Sequence, residues 1–156
     1  MIHRHQLTAP GARNNEILGQ LRNWARNDGT GLSFDSSTGY VLPNGARRSP
    51  GASWVRKAAI QRLSKKNFRG YWHLCPDFVA ELKSESDRLP ALRKKMREWI
   101  SSGAELGWLI DPEAQSVEIY RPGSEPQLLS KIDAVKSQGP VAGFVLELLP
   151  VWDPLR

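Results

Sequence analysis

The chain has 156 residues, of which 40% are apolar and 24% charged, so it is one globular domain rather than a disordered chain. No apolar run approaches the roughly 18 residues of a membrane span, and the polar stretch Met1 to Pro10 lacks the apolar region of a secretory signal; with Cys75 the sole cysteine, internal disulfides and multi-cysteine zinc sites are excluded and a reducing, cytoplasmic setting is expected. Lys and Arg number 22 against 16 Asp and Glu, and the resulting +6 favours a polyanionic partner.

Residues 1–13 carry His3, His5, Pro10 and Gly11 without periodicity and read as a flexible leader, leaving 14–156 as the folded domain. Asn14 or Asn15 supplies an N-cap, and Glu16 in the first turn suits the positive end of the helix dipole. Ile17, Leu18, Leu21, Trp24 and Ala25 form one apolar face, and Asn27-Asp28-Gly29 ends the helix. Short β-like runs follow at Gly31 to Asp35 and Thr38 to Leu42, with a turn signal at Pro43-Asn44-Gly45. Ala46 to Pro50 is basic and irregular, and Ala52 to Lys57 reads as a strand. Ala58, Ala59, Ile60 and Leu63 suit a short helix within the cluster Lys57, Arg62, Lys65, Lys66 and Arg69. That cluster is either a solvated face or a nucleic-acid surface.

Phe78 to Leu82 predicts a strand, and Leu89 to Ser102 a helix closed by Gly103. Leu106 to Ile110 is a continuous apolar run and predicts a central buried strand, with Ser116 to Arg121 as its antiparallel partner across a turn at Asp111 to Gln115. Residues 122–142 are rich in Pro, Gly and Ser and read as loop; Phe144 to Leu149 is the last strand. The order predicts an α/β (α+β) fold, a mixed sheet flanked by helices.

The segment Cys75-Pro-Asp-Phe-Val-Ala-Glu-Leu-Lys83 carries the chemistry. Glu81 and Lys83 lie two apart on a strand, so they project from one face about 7 Å apart at Cα. A carboxylate beside an ammonium suits phosphodiester hydrolysis. The carboxylate can hold a divalent ion, and the lysine can stabilise developing charge. The same pair is also a common solvated feature of strands.

Three stretches resemble a known family. Phe34-Asp-Ser-Ser-Thr-Gly-Tyr40 with Leu42-Pro-Asn-Gly-Ala-Arg-Arg-Ser-Pro50, Pro76 to Ser84 with Ser86-Asp-Arg-Leu89, and Leu106-Gly-Trp-Leu-Ile-Asp-Pro112 are similar to the Uma-two family of restriction-endonuclease-fold proteins. The likeness runs from about Asn14 to Asp153. It implies the PD-(D/E)xK nuclease superfamily, with a mixed sheet between helices and, in active members, a magnesium-dependent site that also accepts manganese. Carried over, Glu81 is a metal carboxylate and Lys83 the catalytic lysine. Lys95 resembles a basic position of the family and is a further catalytic candidate, whereas Lys94 projects to the solvated side. Glu16 matches an additional acid of related nucleases, or is simply a charge suited to a helix N-terminus.

Two departures stand out. The family writes Arg-Ser-Pro-Asp where this chain has Arg48-Ser-Pro-Gly51, and glycine cannot replace that metal ligand. Family members also commonly carry a segment before the first helix, where this chain has about a dozen residues. Asp77 cannot supply the missing acid, being about 13 Å along the same strand from Glu81. Asp35, on a neighbouring strand, is the candidate replacement ligand. Arg47, Arg48, Lys65 and Lys66 are the candidate nucleic-acid contacts. The expectation is an endonuclease weakened at Gly51, acting on nucleic acid with DNA as the expected polymer, and able to pair as a homodimer. The alternative is an inactive nuclease-fold protein that binds nucleic acid or a protein partner.

Overall fold

The structure is a computed structural model that describes residues 4–63 and 70–155. Lys65 and Lys66 lie outside the described residues. The first helix is α1 (Arg4–Asp28), followed by strands β1 (Gly31–Asp35), β2 (Tyr40–Val41), β3 (Arg47–Arg48) and β4 (Ala52–Arg56). The short helix α2 (Lys57–Gln61) leads to β5 (Phe78–Leu82), the helix α3 (Leu89–Ser101), β6 (Leu106–Asp111) and β7 (Ser116–Tyr120). The chain ends with β8 (Gln127–Ser130), β9 (Ala134–Lys136), β10 (Val145–Glu147) and α4 (Leu149–Trp152).

Six strands form one sheet in the order β1-β4-β5-β6-β7-β8. Only β5 and β6 pair in parallel; the other pairs of this sheet are antiparallel. Parallel neighbours need a long crossover, and α3 is that crossover. Phe78 to Ala80 and Leu106 to Ile110 are buried without alternation, as expected of strands covered on both faces. One face packs on α1 and α4 through Leu21, Trp108, Ile110, Leu146 and Val151. The other packs on α3 through Val55, Val79, Met96, Trp99 and Leu109. Gly107 permits the close approach of α3, since a Cβ there would meet Met96 Cε at 2.8 Å. Among the described residues, no helix is long and apolar enough to cross a membrane.

The mixed sheet flanked by helices agrees with the sequence expectation. Three readings are corrected. First, α1 starts at Arg4, so the helix runs through the segment read as a leader and has no cap at Asn14 or Asn15. Pro10 and Gly11 look like breakers by local propensity, but Pro10 sits inside the helix. Tertiary contact supports this part of the helix: Arg13 Nε donates to the Val151 carbonyl at 2.9 Å and Nη2 to the Trp152 carbonyl at 3.4 Å. Second, residues 122–142 are not all loop. They contain β8, β9 and a 3-10 turn at Gly139–Val141. β8 extends the main sheet beside β7, while β9 pairs with β10 in a separate ribbon. The stretch Ala46 to Pro50 likewise holds β3, which pairs with β2.

Leu21 is fully buried at the centre of the α1 face. Leu21→Ala is expected to lower the unfolding free energy by about 2–5 kcal/mol, the cost of deleting buried methyl groups and leaving a cavity. Urea denaturation followed by circular dichroism measures it.

Candidate functional site

The register between β4 and β5 builds the centre of the site. Ala52 pairs with Ala80, and continuing that register by one residue sets Gly51 opposite Glu81. The Gly51 amide donates to Glu81 Oε1 at 3.1 Å. Glu81 lies on the face of β5 that looks toward α3 and is only 6% exposed. There Oε2 accepts the Trp99 indole N–H at 3.2 Å and faces Lys95 Nζ at 3.1 Å. A buried carboxylate is costly unless paired and hydrogen-bonded, and three protein donors meet that demand.

A second carboxylate repeats the arrangement. Across the sheet Glu81 pairs with Leu109, and Leu109 with Glu118, so the two acids stand in one row on the α3 face. Arg93 grips Glu118 with both Nε and Nη2, at 3.1 and 2.7 Å to Oε2, and the Tyr120 hydroxyl donates to Oε1 at 2.7 Å. Sequence reasoning does not single out Trp99 or the Arg93–Glu118 pair as site residues. The available signal is an acid at the centre of the apolar strand Ser116–Tyr120, which needs a cation partner.

The remaining candidates make other contacts. Lys83 follows the end of β5, and its Nζ donates to the Ser84 carbonyl at 3.3 Å. The cation on Glu81 is therefore Lys95. Lys94 is exposed. Asp35 lies two strands from β5, paired with Ala52. Its carboxylate closes a local turn on the Ser37 hydroxyl and amide, which hold it below its ordinary titration range. From α1 the side chain near the site is Asn14. A Cβ built on Gly51 would lie 3.2 Å from Asn14 Oδ1, 3.4 Å from the Ala80 carbonyl oxygen and 4.0 Å from Glu81 Oε1. Glu16, two residues on, is turned about 200° around the helix from Asn14. Asp77 is taken by Arg56, which donates Nε to Oδ1 and its amide to Oδ2, each at 2.9 Å. Arg48 Nε bonds Glu98 at 2.6 Å, and this guanidinium holds the Glu98 carboxyl below its usual range. Arg47 stacks over Tyr71, 5.4 Å from the ring centroid. Burial pushes the Cys75 thiol up to about 12, so it is protonated at neutral pH and is no nucleophile.

The family model described as "Uma2: Putative restriction endonuclease" matches residues 6–149. The chain belongs to this family. Among solved structures, this Uma2 chain is similar to a protein described as a "putative nuclease belonging to DUF820" from Anabaena variabilis ATCC 29413. The TM-score is 0.79 at 20% identity, covering 91% of this chain and 79% of that one. A weaker likeness, with a TM-score of 0.48 at 14% identity, is to the DrdV–DNA complex; it covers 77% of this chain and 10% of that one. No curated protein matches the chain. The similarity to the Anabaena protein supports the fold.

A divalent metal at this site would need a suitable set of donors. Magnesium demands near-octahedral oxygen ligands at about 2.1 Å, usually with one or two carboxylates. Both oxygens of Glu81 already accept protein donors. Among the described residues there is no group of three or more His, Cys, Asp and Glu able to hold a metal ion. The donor set present does not fit magnesium or manganese.

Burial raises the Glu118 carboxyl, but the bonds from Arg93 and Tyr120 outweigh it and hold the group below its ordinary value of 4.5. A carboxyl lowered in the folded state contributes stability that is fully present above its unfolded pKa and is lost as pH falls through the folded value. Glu118→Gln is therefore expected to lower the melting temperature at pH 7 and to flatten its decline below about pH 4.5. Thermal melts between pH 7 and pH 3 measure both effects.

Proposed function

We propose that this Uma2 protein binds nucleic acid at the Glu81 site and that its phosphodiester cleavage is weakened because Gly51 stands where the family's pattern places an acid. The observation that carries this reading is the direction of residue 51. Its Cβ would lie 4.0 Å from Glu81 Oε1, so an aspartate there would be the natural second carboxylate. Lys95, already on Glu81, is the cation placed to meet a phosphate or a developing negative charge. DNA is the expected polymer, and exposed Arg47 is a candidate phosphate contact beside Tyr71. A homodimer would suit cleavage of both strands of a duplex. Light scattering at tens of micromolar distinguishes it from a 17.5 kDa monomer.

A specific observation also favours a second reading, a catalytically inactive binder of nucleic acid or a protein partner. Both oxygens of Glu81 are engaged by Gly51, Trp99 and Lys95, so protein groups alone hold the carboxylate.

Restoring the acid tests the first reading. The aspartate at 51 fits if the Asn14 side chain yields by a few tenths of an ångström. Gly51→Asp is expected to raise plasmid cleavage in magnesium or manganese, toward the roughly hundredfold that misplacement by about 1 Å costs. Adding Glu81→Ala or Lys95→Ala is expected to abolish the gain. Equal cleavage by the original chain and Gly51→Asp would show that Gly51 does not weaken the site. DNA binding without cleavage by either protein would favour the inactive reading.

A further inference from the structure

Away from Glu81, three cations surround one groove. Arg22 and Arg26 stand one turn apart on α1, and Lys57 opens α2. Between them lies an open groove of about 410 Å³ that Gly31, Leu32 and Ser33 also line, with no carboxylate in its wall. All three cations are exposed. Among the described residues no ion pair engages them, whereas Arg48, Arg56 and Arg93 are all committed to acids. The nearby acid, Asp28, is turned onto the Thr30 amide and hydroxyl.

The backbone adds donors. β1 is the outer strand of the sheet, so one of its edges is unpaired. The Lys57 amide donates to the Thr30 carbonyl, and Gly31 pairs with Arg56. Antiparallel pairs alternate between bonded and unbonded positions, so the Gly31 and Ser33 amides point to the open edge. Two guanidiniums, an ammonium, a hydroxyl and edge amides around one concavity are the donor set of an oxyanion site, because guanidinium matches phosphate in a bidentate fork.

We propose that this groove binds a phosphate group. The source suggested by its position is the nucleic-acid backbone, and this part rests on the function proposed above. Gly51 precedes β4 and Lys57 follows it, six residue steps apart at about 3.4 Å each, so the two lie about 20 Å apart along the strand. That distance is about six steps of one DNA strand, at about 3.4 Å per phosphate along the axis. Glu81 looks toward α3, whereas Arg22 and Arg26 belong to α1 on the opposite face, so a duplex that reaches both sites passes around the β1 edge of the sheet. A free phosphorylated small molecule shares the same chemistry.

The test uses the full chain and the triple variant Arg22→Gln/Arg26→Gln/Lys57→Gln. All three changes are on the surface, and matching thermal melts verify the fold. Fluorescence anisotropy with a labelled duplex is measured across a salt series. The expected result is a weaker affinity and a salt slope shallower by about 0.9, the share of the one phosphate that is no longer neutralised. In parallel, inorganic phosphate is titrated into the labelled protein by NMR. Shifts at the Gly31 and Ser33 amides are expected in the original chain and absent in the triple variant. An unchanged salt slope with loss of the phosphate shifts would retain the site and assign it to a free phosphorylated ligand. If the original chain binds no DNA, the nucleic-acid reading fails while the phosphate titration still decides the groove. An unchanged slope and affinity, with no phosphate shifts in the original chain, would overturn the proposal.

Discussion

The interior carboxylate of Glu81 is the constraint around which the rest of this protein is arranged. An ionised carboxylate removed from water destabilises a fold by several kcal/mol unless its oxygens are satisfied. Here the donors come from different parts of the chain: the Gly51 amide just before β4, and Trp99 and Lys95 on α3. The β4–β5 register and the docking of α3 are therefore tied to one side chain. The Glu118–Arg93 pair supplies the second anchor on the same row of the sheet. Arg93 and Lys95 are two residues apart, so they leave α3 on opposite flanks of the seam made by Leu92, Met96 and Trp99. One flank is fixed over β5 and the other over β7. Rotation of α3 about its axis would break one pair or the other.

Much of the fold is legible in the sequence because the decisive patterns are local. Gly31 to Asp35 and Phe78 to Leu82 have the bounds their sequence predicts, the first set between Gly29 and a Ser-rich turn and the second following Pro76. Leu89 to Ser101 carries its apolar seam at helical spacing, with a proline in the first turn and Gly103 after the end. The strands between 122 and 142 are not legible, because they owe their form to their neighbours. Gln127–Ser130 is mostly exposed and becomes a strand by pairing with β7. The start of α1 is hidden for a related reason: Pro10 and Gly11 argue against a helix locally, while the Arg13 bonds to α4 span 138 and 139 residues of sequence.

The site is legible in residue type and less so in direction. Glu81, Lys95 and the position of Gly51 come together across elements distant in sequence. Lys83, Asp35 and Glu16 have the right chemistry but different surroundings. Lys83 turns to the next carbonyl, and Asp35 is held by Ser37. Glu16 differs from Asn14 by about 200° of helix rotation. No composition argument sees these differences, because each depends on where a side chain points once its element has docked.

Charge counting explains why the site is stable with glycine at 51. Glu81 and Lys95 balance as one negative and one positive group. A divalent ion added to that pair would meet a net charge of zero and an ammonium 3.1 Å from the carboxylate oxygen it needs. An acid at 51 changes the sum to one excess negative charge. At about 4 Å two carboxylates repel by about 4 kcal/mol in surroundings of effective dielectric about 20, and one ammonium offsets only part of that. The excess draws in a cation. Metal affinity and the residue at 51 are thus linked through electrostatics as well as through ligand number. The glycine leaves a neutral pair in which both carboxylate oxygens have protein partners, and the same backbone position that would present the missing acid instead contributes its amide to Glu81.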